Sequence, residues 1–76
     1  MLTVDLTKLK KIRESQMSLR EMAQQIGYQS ANGYYYLESG RSKISAEMLA
    51  KVATVLNQPI ETFFTEREER DEKDDL

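Results

Sequence analysis

The sequence predicts an all-α domain of five short helices, and three observations carry that expectation. A serine or aspartate stands directly ahead of four segments whose apolar residues recur at three- and four-residue intervals. Glycine closes two of those segments, and none alternates apolar and polar residues with the period of two that a half-buried strand needs. At 76 residues the chain holds one small core, barely large enough to fold without a staple.

Asp5 precedes LTKLKKIRES, where Leu6, Leu9, Ile12 and Arg13 share a helical face and Val4 is placed to pack on Leu9. This predicts a first helix over residues 6–15. In MSLREMAQQIG, Ser18 and Glu21 have the spacing of a capping box, Met17 and Met22 flank the start as a hydrophobic staple, and Gly27 supplies a left-handed stop. After Gly-Tyr-Gln, Ser30 is placed to cap a third helix, ANGYYYLES, which ends at Gly40. Ser45 opens AEMLAKVATVL, with Met48, Leu49, Val52, Val55 and Leu56 apolar, Ile44 and Leu49 as another staple, and Asn57 placed to end the helix. Pro59 suits the first position of a short fifth helix, PIETFF, because that position has no partner for an amide hydrogen anyway. Residues 66–76, EREERDEKDDL, have no apolar stripe and are expected to form a frayed or disordered acidic tail beyond a domain of residues 1–65.

Composition removes several functions. With neither cysteine nor histidine, the chain has no disulfide or thiolate metal site, and it lacks the commonest general base and metal ligand. Glu14, Glu21, Glu38 and Glu47 form no paired arrangement, so neither an enzyme nor a metal or cofactor site is expected. No apolar run approaches the ~18 residues of a membrane span, and MLTVDLTKLKK lacks signal-peptide architecture, so a soluble, cytoplasmic protein is expected. The formal charge of -2 conceals segregation: residues 66–76 carry -4 and residues 1–65 carry +2. A mildly basic body fits a polyanionic partner only if its bases lie together.

Helix two, the short turn at Gly27 and helix three are the parts of a helix-turn-helix. On helix three, Tyr34 and Leu37 point one way with the stem of Glu38, while Asn32, Tyr35, Tyr36 and Ser39 point the other. Asparagine can pair bidentately with adenine, and tyrosine offers a ring edge to a thymine methyl and a hydroxyl to a base or phosphate. Gly33 would let the backbone approach DNA or helix two. Beyond the helix, Arg41 and Lys43 add two cations, and the free amides at Leu19 and Arg20 can face a phosphate.

The run SLREMAQQIGYQSANGYYYLESGRSKISAEMLAKVATVLNQPIETFF resembles the Cro/repressor-type (XRE) helix-turn-helix family of phage and bacterial regulators. The likeness lies in S-x-x-E-x-A-x-x-x-G of helix two, Leu37-Glu38-x-Gly40 closing helix three, the amphipathic helix ending at Leu56 and the apolar fifth helix. It covers residues 6–65 and implies a five-helix, phage-repressor-like DNA-binding domain with its helix-turn-helix at helices two and three. The resemblance implies that Ser30 caps the recognition helix, that Ala31, Asn32, Tyr35 and Tyr36 face bases, and that Leu19, Ser39, Arg41 and Lys43 lie toward phosphates; Arg20 and Ser30 are expected to join the phosphate-facing set. It also implies that Glu38 pairs with an arginine of helix one, for which Arg13 is the candidate, although Arg13 to Ser18 is one residue shorter than in most members. The turn is one residue longer than the commonest form, which brings Gln29 toward the bases.

These features predict a sequence-specific double-stranded-DNA-binding regulator, a repressor or Cro-like switch protein, acting as a homodimer on a near-palindromic operator. Ile60, Phe63 and Phe64 exceed what one small core needs and are the expected self-contact. Two other classes fit the same pattern: an antitoxin whose C-terminal region holds a toxin, and a protein-interaction module that has kept the fold without DNA binding. The outer face of helix three separates them, and Asn32 with Arg41 and Lys43 favours DNA.

Overall fold

Each α-helix starts directly after the residue that the sequence marks as its cap. In the computed structural model, which describes residues 2–66, Asp5 accepts from the Lys8 amide at 3.0 Å and opens α1 (Leu6–Glu14). The capping box ahead of α2 (Leu19–Gln25) is complete: Ser18 Oγ accepts from the Glu21 amide at 3.1 Å, and the Glu21 carboxylate accepts from the Ser18 amide at 2.8 Å. Ser45 accepts from the Met48 amide at 3.0 Å to open α4 (Ala46–Val55). Such caps satisfy amide donors that no helical turn can reach, each contributing about 1 kcal/mol. Ahead of α3 (Ala31–Ser39), Ser30 has the extended backbone of a cap, but its side chain makes no capping bond.

Helix ends follow the same local chemistry. Gly27 and Gly40 adopt positive φ of 94° and 87°, and Asn57 takes φ 59°, the left-handed geometry that turns the chain out of a helix. The core lies where the helices meet, with Leu9, Met22, Tyr34, Leu49, Val52, Leu56 and Phe63 all sealed from solvent. At the far ends of α1 and α4, the Gln16 side-chain amide donates to the Leu56 carbonyl at 3.0 Å.

Two expectations of fold class need correction. The fifth helix is a single 3₁₀ turn (Ile60–Phe63) preceded by Pro59, too short for an α-helical register. The described residues are also not purely helical: β1 (Leu2–Val4) pairs antiparallel with β2 (Phe64–Glu66), in the register Leu2 to Glu66, Thr3 to Thr65 and Val4 to Phe64. The Asp5 amide extends this ladder to the Phe63 carbonyl at 2.7 Å. Three residues per strand are too few to print a period of two on the sequence, and the pairing joins the two ends of the domain. Glu66 therefore belongs to the folded body, and the rest of the predicted acidic tail, residues 67–76, lies outside the described residues.

Among the described residues, charge enters the core at one place. Arg13 of α1 and Glu38 of α3, each about 5 % exposed, form a two-pronged ion pair, Nε to Oε2 at 3.0 Å and NH2 to Oε1 at 2.8 Å. Arg13 NH1 also donates to the Met17 carbonyl at 3.2 Å, so the guanidinium ties the α1–α2 turn to α3. Hydrogen bonding to Glu38 holds Arg13 protonated above the ordinary guanidinium range, against the opposing pull of burial. Glu38→Ala is expected to cost about 3–5 kcal/mol by stranding the arginine, and Arg13→Met combined with Glu38→Leu should recover most of that loss in urea denaturation.

Candidate nucleic-acid interface

Helix α3 sorts its tyrosines by angle. Tyr34 is fully buried, whereas Tyr35 and Tyr36 are 45 % and 38 % exposed, because successive helical residues step about 100° around the axis. Leu37 and Glu38 share the buried side with Tyr34, and Asn32 is exposed with the outer tyrosines. The outer rings are arranged rather than loose. Their centroids lie 6.1 Å apart at 52°, a tilted aromatic pair, and the Arg41 guanidinium carbon sits 5.4 Å from the Tyr36 centroid in a cation–π contact. The Ser42 amide donates to the Tyr36 carbonyl at 3.0 Å, folding the following loop back onto the helix end and so placing Arg41 over the ring.

A second group gathers at the other end of α3. Arg20 and Gln24 of α2 face Gln29, Ser30 and Ala31 across a cleft of about 280 Å³, which Tyr28 also lines. A Cβ built on Gly33 would stand 2.6 Å from Tyr28 Cδ2, so the Tyr28 ring occupies the space a side chain at position 33 would need. Arg20, Arg41 and Lys43 are exposed, and none forms an ion pair within the described residues. Among those residues, no group of three or more acidic, histidine or cysteine side chains could hold a metal ion. No described helix is long and apolar enough to cross a membrane.

Comparison with known families decides the class. A helix-turn-helix family model matches residues 9–63. The chain belongs to the Cro/repressor-type (XRE) helix-turn-helix family. No curated protein and no solved structure matches it. Membership makes it a DNA-binding regulator in the general sense of that family.

The XRE domain brings some of the expected residues together and separates others. Gln29, Ser30, Ala31 and Arg20 share the cleft, while Tyr35, Tyr36 and Arg41 form the aromatic cluster. Lys43 instead borders a separate, largely apolar groove beside β1 and β2. The Leu19 side chain is half-buried against the core, which leaves its backbone as the available group. Ser39 donates its hydroxyl to the Tyr36 carbonyl at 3.3 Å. Phe63 needs correction as a self-contact residue: it is fully buried in its own core, Ile60 packs against that core half-buried, and Phe64 alone of the three is exposed. Tyr28 was missed because nothing in its sequence position shows which element its ring will meet. A glycine within the helix, at position 33 in its first turn, was the available signal.

Tyr34 anchors the inner side. Burial, reinforced by the nearby Glu38 carboxylate, pushes its phenol well above the usual range, and its hydroxyl is buried without a hydrogen-bond partner of good geometry among the described residues. Above about pH 10 the unfolded chain releases this proton while the folded chain retains it, so folding loses stability as pH rises. Tyr34→Phe is expected to remove that alkaline decline and to be neutral or stabilising at pH 7, as measured by urea denaturation at a series of pH values.

Proposed function

We propose that this protein is a sequence-specific regulator that lays α3 in the major groove of double-stranded DNA, in the manner of a repressor or Cro-like switch protein. The observation that carries the reading is the outer face of α3, where Asn32, Tyr35 and Tyr36 are exposed beside Arg20 and Arg41, cations with no ion pair among the described residues. In a helix-turn-helix the first helix crosses the phosphate backbone, and the first residues of the second reach base edges. Here α2 and α3 take those two parts. Asn32 then pairs with a base, and Tyr35 and Tyr36 meet ring edges, methyl groups or phosphate oxygens. Arg20, Arg41, Lys43, the hydroxyls of Ser30 and Ser39 and the amide of Leu19 supply backbone contacts, with Gln29 and Ala31 beside the bases.

Two such domains, related by a two-fold axis, read half-sites one helical turn apart, ~34 Å. The self-contact lies around the C-terminal end of the body, where Phe64 is exposed and Ile60 half-buried.

In fluorescence titrations against a selected operator, Asn32→Ala is expected to lose about 1–3 kcal/mol and to relax the preference at one base pair. Lys43→Ala should weaken every duplex alike and reduce the salt slope by about one unit. Two variants that bind like the parent would place the interface elsewhere. Sedimentation at high micromolar concentration should show a dimer without DNA, and a monomer throughout would count against the two-fold arrangement.

A further inference from the structure

The contact between Tyr28 and Gly33 joins the turn to the first half of α3. Gly33 adopts no positive φ, so its backbone does not require glycine, and in a helix interior glycine costs about 1 kcal/mol relative to alanine. What requires glycine is the neighbouring ring: a Cβ there would lie 2.6 Å from Tyr28 Cδ2 and 3.2 Å from its Cε2, whereas carbon atoms pack at about 3.5–4.0 Å. The Tyr28 main chain is held as well, its amide donating to the Ala23 carbonyl of α2 at 2.8 Å. One residue therefore binds the end of α2 through its backbone and props α3 through its ring. The propped residue follows Asn32 directly.

Resting on the DNA reading above, we infer that Tyr28 is a specificity-determining positioning residue: its ring, seated against Gly33, sets the angle at which the first turn of α3 presents Asn32 to the bases. Ser30 makes no side-chain cap, so this turn lacks the bond that holds the starts of α1, α2 and α4. The ring supplies the missing constraint. A bidentate amide–base contact depends on distances near 3 Å and on alignment, so a small tilt of α3 weakens it without removing any contacting atom.

The test is selection of bound duplexes from a random pool, using the full chain. Tyr28→Phe keeps the ring and should return the parent consensus. Tyr28→Ala should lose at least tenfold discrimination at the base pair where Asn32→Ala also loses it, while affinity for random duplex stays within twofold of the parent. If Tyr28→Ala does not fold, the double variant Tyr28→Ala with Gly33→Ala carries the test, because it restores helix propensity and puts only a methyl group where the ring stood. A parent consensus retained in either folded alanine variant overturns the inference and leaves the DNA reading intact. A changed consensus in Tyr28→Phe overturns it too, by assigning the effect to the hydroxyl. If the parent selects no duplex at all, the DNA reading fails and the inference fails with it.

Discussion

The buried pair between Arg13 and Glu38 is the constraint around which the rest of the domain is arranged. Taking both charges out of water costs several kcal/mol per ion, and the attraction between them offsets this only with good geometry and further hydrogen bonds. Both conditions hold: two prongs at 2.8 and 3.0 Å, and a third guanidinium bond to the Met17 carbonyl. An apolar contact between α1 and α3 could slide or rotate at little cost. This pair tolerates neither movement, because any displacement leaves a charge without its partner. Its contribution is orientation more than stability, and it fixes the roll of α3 about its own axis.

That roll decides what the tyrosines do. With Glu38 held inward, the helical step places Tyr34 and Leu37 in the core and turns Asn32, Tyr35 and Tyr36 outward. The two ends of α3 are then held by different means. At the C-terminal end, Gly40 turns the chain and Ser42 bonds back to Tyr36, which places Arg41 over the outer ring. At the N-terminal end, the Tyr28 ring fills the notch at Gly33. An exposed aromatic surface would otherwise be a liability in a domain this small. Packed at a tilt against each other, with Arg41 over Tyr36, the outer tyrosines lose rotamer freedom before any partner arrives, which lowers the entropy a complex must lose.

Legibility in the sequence followed the range of the interaction. The cap residues of α1, α2 and α4 and the left-handed stops at Gly27, Gly40 and Asn57 act within four residues, and their spacing is visible in the chain. The split of the tyrosine run follows from the helical period alone. Arg13 and Glu38 are 25 positions apart, and only family resemblance proposed that they meet. The strand pair joins residues 2–4 to 64–66, and three-residue strands carry no pattern of their own. The same closure explains Phe63, which looked surplus as part of an amphipathic helix. Once β2 returns to β1, the Phe63 carbonyl accepts from Asp5 and the ring is sealed into the core. Gly33 showed that some neighbour was close, but not that the neighbour was the turn.

Charge sets a further limit on how such a face can work. Each phosphate neutralised contributes about 0.9 to the salt slope on duplex DNA, so Arg20, Arg41 and Lys43 together supply only about 2.7 per domain in the proposed docking. A slope that small leaves weak non-specific attachment at physiological salt, and the net charge of +2 on residues 1–65 adds little long-range steering. Binding in this arrangement must therefore come mainly from contacts made after docking, at base edges and across a second domain. Such contacts are short-range and depend on how firmly α3 is held. In the proposed docking, a domain with so few cations gains most from rigidity in α3, and the buried ion pair and the seated Tyr28 ring hold that helix from opposite ends.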